Sequence, residues 1–278
     1  MKKSDRLNRL KSGADLFLCP VCRGAFHVRE NSFVCGAGHC FDMSKYGYVN
    51  LIPNGRAQKY YDRESFENRR RILDKGYYDP VFQAVEEALR RRPGIRTVLD
   101  AGCGEGFYAR RLAALYDYDI TAFDISAESV KLAAKGVPGK NARWFIGDLT
   151  RLPLADHVFD CVLNIFSPAH YEEFRRVLSE GGLVVKVIPG SGHLEEFRAL
   201  AREHLIRKEY SNREVKDYFR QQFDNVEETR VSFMFTPPEE DLRIFAEMTP
   251  LLFNVDKKSL DFNDIRSLTV EAEILTGF

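Results

Sequence analysis

The chain has 278 residues, and its 41 basic and 41 acidic side chains give a formal net charge of zero. Hydrophobic residues make up 44% and charged residues 29% of the sequence, which excludes a disordered chain and indicates one large globular domain or two unequal ones. No run reaches the roughly 18 apolar residues of a membrane span, and the first residues lack a signal-peptide core, so the sequence predicts no membrane insertion.

A dense cysteine cluster lies near the start of the chain. Cys19, Cys22, Cys35 and His39 have the spacing C-x2-C-x12-C-x3-H. Zinc prefers four nitrogen and sulfur ligands in a tetrahedron, and two short turns can supply one pair each. The spacing therefore predicts a closed, structural zinc site, with Cys40, beside His39, as the competing fourth ligand. Clustered rather than dispersed cysteines favour a metal site in the reducing cytoplasm over disulfides.

The chain divides into three regions of different character. We expect a zinc-binding segment at 1–52, whose first 16 residues could form a flexible basic arm, and a charged connector at 53–80 with a helix near 65–75. From 81 to 278 apolar, β-rich runs alternate with helical patterns, and the region ends in a strand, a helix and a final strand. This predicts an α/β fold in which helices cover a mainly parallel sheet. The first five predicted strands are RTVLD, YDITAFD, ARWFIG, FDCVLNIF and GGLVVKVI.

A glycine-rich turn follows the first of these strands, in the stretch VLDAGCGEGFY. Gly102, Gly104 and Gly106 allow a tight turn and close approach of a ligand at the carboxyl end of the strand. Asp100 precedes these glycines and Glu105 lies among them. Carboxylates there repel a pyrophosphate but suit a cation. The turn therefore favours S-adenosylmethionine, which carries a sulfonium and an ammonium, over a dinucleotide.

Two further acids follow the next two predicted strands. Asp124 ends DITAFD, about 20 residues beyond the glycine turn, where an acid accepts hydrogen bonds from ribose hydroxyls. Asp148 follows ARWFIG and could accept a hydrogen bond from the adenine amino group. Each acid alone could instead be a helix cap or a turn residue. Together with the glycine turn, they resemble the Rossmann-like methyltransferases that use S-adenosylmethionine, over about residues 95 to 190.

A closer resemblance appears when the whole chain is considered. The stretches CPVC…CGAGHCFDMSKYGYVNLIP, RRRILDKGYYDP, VLDAGCGEGFY and IPGSGHLEE are similar to those of the bacterial 23S ribosomal RNA guanine-N1 methyltransferases, from about residue 17 to the end. The resemblance implies methylation of N1 of a guanine in a hairpin loop of 23S rRNA. It also implies an N-terminal zinc module that takes part in RNA recognition, a Rossmann-like donor-binding domain, and a homodimer.

The resemblance places the zinc on the four ligands named above and donor contacts at Tyr78, Gly104, Glu105 and His193. Tyr78 could merely pack the connector on the catalytic domain, and His193 could be a first-turn helix residue. The target base is expected where the segment NIFSP, 164–168, ends. No residue is singled out as the base that removes the N1 proton. Candidate stacking partners for the guanine are Phe166, Tyr46 and Tyr48.

The neutral total conceals a segregated charge. Residues 1–80 contain 15 basic and 9 acidic side chains, whereas residues 81–278 contain 26 and 32. A basic front end on an acidic body predicts that the front end, including Arg69, Arg70 and Arg71, holds the RNA backbone. Two alternatives remain open: a methyltransferase of the same fold that acts on a small molecule, and a zinc-ribbon nucleic-acid binder with an inactive methyltransferase domain.

Overall fold

The structure is a computed structural model. It describes residues 3–53, 63–136, 141–203, 211–253, 255–257, 260–262 and 264–278. Part of the expected connector, residues 54–62, lies outside the described residues.

The start of the chain is a helix packed on the body of the protein. Helix α1 (Lys3–Lys11) buries Leu7 and Leu10, and the guanidinium of its Arg9 pairs with Asp119 at 2.5 Å. A 3-10 turn at Ala14–Leu16 follows. The expected basic arm is therefore not what residues 3–16 form, because two leucines on one helix face gain more by burial than by extension into water.

A small antiparallel sheet follows, made of β1 (Phe26–Arg29), β2 (Ser32–Cys35) and β3 (Cys40–Asp42). It is held to the body by main-chain hydrogen bonds, from Leu18 N to Pro153 O at 3.0 Å and from Ala155 N to Leu16 O at 2.9 Å. The Phe17 ring packs edge-on against Phe145, with ring centroids 5.3 Å apart. The cysteine-rich segment thus shares a hydrophobic core with the body of the protein.

The described residues contain a mixed, eight-stranded central sheet. Six neighbouring strands are parallel, and the last two pair antiparallel at one edge, which gives the order β10-β11-β9-β8-β5-β6-β7-β4. The strands predicted from the sequence all form. The bounds are β4 (Tyr48–Asn50), β5 (Thr97–Ala101), β6 (Asp119–Asp124), β7 (Ala142–Ile146), β8 (Phe159–Ile165), β9 (Leu178–Pro189), β10 (Val226–Phe235) and β11 (Leu268–Gly277).

Strand β4 lies within the segment expected to bind zinc, yet it belongs to the central sheet. Its three residues pair in parallel with β7, with Tyr48 opposite Trp144 and Asn50 opposite Ile146. Leu51 N then donates to Ile146 O at 2.9 Å. The chain therefore passes from the small sheet directly into the edge of the large one.

Helices cover both faces of the sheet, as the alternating pattern predicts. The apolar residues of the parallel strands are buried on both sides, which is typical of a Rossmann-like sheet. The helix expected near residues 65–75 is α2, and it packs on α9. The bounds are α2 (Arg63–Asp74), α3 (Asp79–Arg90), α4 (Phe107–Leu115), α5 (Ala127–Lys135), α6 (Tyr171–Val177), α7 (Glu195–Leu200), α8 (Arg213–Arg220) and α9 (Glu239–Met248), with a 3-10 turn at Pro250–Leu252.

Candidate active site and metal centre

The structure brings the four predicted zinc ligands together. One ligand atom from each of Cys19, Cys22, Cys35 and His39 lies within 4.8 Å of the other three. His39 Nδ1 is 3.3 Å from Cys35 Sγ and 3.5 Å from Cys19 Sγ. These separations suit ligands that share one tetrahedral ion with metal–ligand distances of about 2.0–2.3 Å. The donor set therefore fits zinc.

Cys40 lies outside this cluster. Its side chain is exposed, and its sulfur faces Asp42 Oδ1 at 4.0 Å. Because Cys40 begins β3, its side chain points away from the turn that carries His39. The arrangement favours His39 over Cys40 as the fourth ligand.

The glycine turn follows the carboxyl end of β5 and is hydrogen-bonded to the carboxyl end of β6. The N–H groups of Gly102 and Cys103 both donate to Phe123 O, at 3.0 and 2.8 Å. Gly104 N donates to Asp124 Oδ2 at 3.0 Å. The turn then enters α4 through Gly106, whose φ of +77° is a conformation that favours glycine. The sequence thus places Asp124 against the turn, as its position after the second predicted strand suggested.

Two buried carboxylates at this turn have oxygens without a hydrogen-bond partner among the described residues. These are Asp100 Oδ2 and Glu105 Oε2, although Arg69 Nε lies 3.5 Å from the latter. A Cβ built on Gly104, whose φ is +55°, meets nothing within 4 Å, although the residue itself is buried. Buried carboxylate oxygens without hydrogen-bond partners, beside unfilled space in the protein, fit a cationic ligand that carries hydrogen-bond donors. S-adenosylmethionine is such a ligand.

Burial raises the pKa values of all three acids at this turn. Burial, reinforced by the neighbouring Glu105 carboxylate, raises the pKa of Asp100 to about 7. Burial also raises the pKa of Glu105, against the lowering effect of Arg69, and that of Asp124, against hydrogen bonds from Ser126 and Gly104. In the ligand-free protein, ionising Asp100 therefore costs stability as the pH rises from about 4 towards about 7.

The affinity for S-adenosylmethionine is expected to increase as the pH is raised from about 6 to about 8. A bound cation stabilises the Asp100 carboxylate, so binding releases a proton below the raised pKa of Asp100 and not above it. Calorimetric titration at several pH values measures both the affinity and the proton release. Asp100→Asn is expected to bind more weakly and to lose this part of the pH dependence. An unchanged pH profile in the variant would contradict the role of Asp100.

The hydrogen bonds of Asp148 lie within its own turn and do not reach the glycine turn. Its Oδ1 accepts hydrogen bonds from Thr150 N at 2.9 Å and from Thr150 Oγ1 at 2.7 Å, in the turn after β7. This is the local turn role that the sequence left open. Asp148 still has its second carboxylate oxygen, so it stays a predicted contact of the adenine amino group.

A cavity of about 700 Å³ lies over the carboxyl ends of β8 and β9. Its walls include Tyr78 and His193, two of the predicted donor contacts, and Phe166 and Ser167 of the NIFSP segment. Ser167 would collide with any side chain at Gly102, so the cavity adjoins the glycine turn directly. Its position matches the place where an open α/β sheet binds ligands.

Tyr78, Phe166 and His193 form one group of rings in this cavity. The ring centroid of Tyr78 lies 6.1 Å from that of Phe166 and 6.2 Å from that of His193. The rings of Phe166 and His193 are stacked, with centroids 6.0 Å apart. Glu271 N donates to His193 Nδ1 at 3.3 Å, so the other ring nitrogen carries the hydrogen. Burial, with Arg198, lowers the pKa of His193 to about 4, which keeps the ring neutral. Of the other predicted aromatic candidates, Tyr46 lies elsewhere, with Lys135 Nζ 4.7 Å from its ring centre.

Two basic residues at the site were not predicted as donor-site or catalytic residues. Arg69, expected to hold RNA, lines the cavity and faces Glu105. Lys186 is 5% exposed near the end of β9 and also lines the cavity. The sequence does carry a signal for it, because it is the single charge in the apolar run GGLVVKVI. A lysine in a strand buried on both faces requires a specific partner or a function.

Two family models match the chain. The model described as a methyltransferase domain matches residues 98–186. The model described as the N-terminal region of RlmA, a zinc ribbon, matches residues 17–58. Both matches agree with the structure, in which the first covers the glycine turn and strands β5 to β9 and the second covers the Cys3His cluster.

The chain is also similar to curated proteins. A Bacillus subtilis protein, provisionally named as a 23S rRNA (guanine-N1)-methyltransferase, is 32% identical over 94% of this chain and 96% of its own. The 23S rRNA (guanine(748)-N1)-methyltransferase of Streptomyces fradiae is 31% identical over 64% of this chain and 65% of its own.

A solved structure shows the same fold. The phosphoethanolamine N-methyltransferase 2 of Haemonchus contortus, with bound S-adenosylhomocysteine, has a TM-score of 0.52 at 15% identity, over 82% of this chain and 61% of its own. The fold, the methyltransferase-domain match and the donor-site chemistry make the protein a methyltransferase that uses S-adenosylmethionine. With its zinc ribbon and its end-to-end similarity to the Bacillus subtilis protein, the chain belongs to the RlmA-type family of 23S rRNA (guanine-N1)-methyltransferases.

Proposed function

We propose that the protein transfers the methyl group of S-adenosylmethionine to N1 of a guanine in a hairpin loop of 23S rRNA. The observation that carries this proposal is the 32% identity, over 94% of the chain, to a relative provisionally named for 23S rRNA (guanine-N1) methylation. The Streptomyces fradiae relative carries the same reaction in its name.

The donor supplies an electrophilic methyl carbon, and the chain supplies its position. Asp124, fixed by the Gly104 and Ser126 N–H groups at 3.0 and 2.9 Å, keeps lone pairs free for ribose hydroxyls. Asp100 and Glu105 offer negative charge to the cationic end. His193, neutral and with hydrogen on Nε2, can donate to the donor's carboxylate. Positioning of this kind accounts for much of the rate of a methyl displacement.

The cavity suits a base that has left its stack. Loop guanines in RNA are read when they are splayed out and stacked on an aromatic ring. Phe166 follows β8 and has a φ of +51°, a strained conformation that turns its ring into the cavity beside His193. Phe166 is therefore the stacking partner that we propose for the target guanine.

The RNA contact proposed for Arg69, Arg70 and Arg71 needs refinement. Arg70 Nη1 donates to Leu132 O at 3.3 Å, and Arg71 Nη2 lies 3.2 Å from Glu240 Oε1. With Arg69 facing Glu105, Arg69 and Arg70 hold α2 on the body, whereas Arg71 stays exposed in its ion pair. We propose that the exposed ribbon residues Arg29 and Lys45 share the phosphate contacts of the basic front end.

We further propose a homodimer in the cytoplasm, as the resemblance implies. The clustered thiols of Cys19, Cys22 and Cys35 support a reducing compartment. Among the described residues, no helix has both the length and the apolar character needed to cross a bilayer. Light scattering of the purified chain measures the oligomeric state.

Tritium from labelled S-adenosylmethionine is expected to enter 23S rRNA taken from a strain that lacks the gene. A methyl group on N1 blocks base pairing, so reverse transcription should stop at one hairpin-loop guanine in the treated RNA only. Transfer into a small-molecule pool without transfer into RNA would favour the alternative of a small-molecule methyltransferase. RNA binding without any transfer would favour an inactive catalytic domain.

A further inference from the structure

Lys186 is the cation buried where the donor site and the target cavity meet. It lies near the carboxyl end of β9, opposite Asn164 of β8 in the parallel register. Its Nζ donates to Asn164 Oδ1 at 2.6 Å and to Ser167 O at 3.2 Å. Both acceptors are neutral, and no ion pair of Lys186 with a carboxylate is found among the residues that the structure describes. Within the described part of the chain, Lys186 is thus held without a counter-ion.

The orientation of Asn164 is set by its other contacts. Its Nδ2 donates to Ala101 O at 3.2 Å and to Pro168 O at 2.8 Å, so its Oδ1 must face Lys186. Ala101 is the last residue of β5 and immediately precedes the glycine turn. The amide of Asn164 therefore fixes Lys186 relative to the donor site.

The hydrogen-bond pattern leaves one position free on the Lys186 nitrogen. A neutral amine has two hydrogens and one lone pair. Asn164 Oδ1 and Ser167 O accept the two hydrogens, so the lone pair remains for the cavity that Lys186 lines. Burial lowers the pKa of Lys186 to about 8, so roughly one fifth of it is neutral near physiological pH, far more than of an ordinary lysine.

We propose that Lys186 is the general base that removes the N1 proton of the target guanine, an inference that rests on the proposed function. The proton passes from N1 to the Lys186 nitrogen, which becomes an ammonium. The freed N1 electron pair forms the bond to the methyl carbon, and the carbon–sulfur bond breaks with its electron pair left on sulfur. The products are 1-methylguanine, S-adenosylhomocysteine and protonated Lys186.

Other ionisable groups at the cavity are less suited to this step. His193 accepts a hydrogen bond on Nδ1 and carries hydrogen on Nε2, so it has no free lone pair to offer. Burial raises the pKa values of Tyr78, Tyr108 and Tyr171, which remain protonated. Glu214 of α8 is exposed at the rim.

The charged and titratable surroundings of Lys186 also set its pH dependence. Arg69 from α2 and Arg198 from α7 line the same cavity, and Tyr218 lines it from α8. On β11, Glu273 lies opposite Ile188, two residues along β9, and Glu271 is paired with Arg230 at 2.5 Å. Asp100, at the end of β5, titrates near 7 through burial and Glu105. Any change of the methyl-transfer rate with pH that is due to Asp100 should appear equally in the Lys186 variants. The variants therefore distinguish the titration of Asp100 from that of Lys186.

Single-turnover methyl transfer into 23S rRNA, measured against pH, tests the proposal. The wild-type rate is expected to rise with pH and level off near the pKa of Lys186. Lys186→Met and Lys186→Arg are each expected to lose about 100-fold or more, because methionine has no base and a guanidinium stays protonated. S-adenosylmethionine affinity should be unchanged in both. Lys131→Met, which removes a half-buried lysine of α5 whose Nζ lies 3.6 Å from Glu128, is the matched control and should keep the wild-type rate.

Chemical rescue and amine labelling give further readouts. Small amines in the buffer should partly restore the Lys186→Ala rate, since they can take the proton in the vacated space. In the protein without substrates, labelling of Lys186 by an amine-specific reagent should reach half its maximum near pH 8, below the roughly 10.4 of an ordinary lysine.

The outcomes distinguish a failure of the proposed function from a failure of the role of Lys186. A wild-type protein that does not methylate 23S rRNA overturns the proposed function, whatever the labelling shows. A wild-type protein that does so, with Lys186→Arg at a similar rate or with Lys186 labelled only at the pH of exposed lysines, overturns the role of Lys186 alone.

Discussion

Replacement of Cys35 with alanine is expected to release the zinc and to unfold the ribbon, whereas replacement of Cys40 should leave both intact. Cys35 is 2% exposed and its sulfur is 3.3 Å from His39 Nδ1, while Cys40 is exposed outside the cluster. Zinc bound to small peptides of this kind contributes about 10–16 kcal/mol of apparent binding energy, which is also folding energy. No single side-chain contact between the three-stranded sheet and the core that it shares with the body contributes as much.

Metal analysis and thermal unfolding measure this effect. The wild type and Cys40→Ala should contain about one zinc per chain, and Cys35→Ala close to none. The unfolding temperature should fall only in Cys35→Ala. Loss of zinc from both variants would show that Cys40 is also a ligand, and retention in both would refute the predicted ligand set.

Replacement of Gly104 with alanine is expected to weaken S-adenosylmethionine binding by about 100-fold while the fold survives. A Cβ at this position meets no protein atom within 4 Å, so it enters space that we assign to the donor. A misplaced methyl group in a close contact costs about 1–3 kcal/mol, and the upper part of this range corresponds to a 100-fold loss of affinity.

The matched control is Gly181→Ala. Gly181 has a φ of +74° and likewise no atom within 4 Å of a built Cβ, but it is exposed at the other end of β9. Both variants should lose about 1 kcal/mol of stability through backbone strain. Only Gly104→Ala should lose donor affinity in calorimetric titration. Equal donor affinity in the two variants would contradict the placement of the donor at the glycine turn.

Local patterns account for the parts of the site that the sequence predicts well. The zinc cluster follows from the spacing of ligands on two short turns, which needs no distant contact. Asp100 and Asp124 meet at the glycine turn because the carboxyl ends of adjacent parallel strands share one edge of the sheet. The order of strands and helices follows from hydrophobic periodicity in the same way.

Long-range contacts account for what the sequence does not reveal. Arg69 reaches Glu105 only because α2 packs beside the glycine turn, and its position in an arginine run suggested an RNA contact instead. Asn164 and Lys186 are 22 residues apart and become partners through the pairing of β8 with β9. Helix α1 contains only two buried leucines, and its composition alone resembles that of an exposed basic tail.

Strand β4 fixes the position of the zinc ribbon relative to the central sheet, because the ribbon continues into that strand. The strand caps the edge of the sheet at β7, and Trp144 of β7 in turn packs over Gly106 of the donor site. The fold therefore fixes the distance from the ribbon surface to the proposed donor site. On the proposal that the ribbon binds the RNA, only the nucleotide at that distance from the ribbon would enter the cavity. Under the same proposal, this distance would select between neighbouring guanines, and a ribbon transplanted from a relative would need its own β4 to keep the distance that it sets.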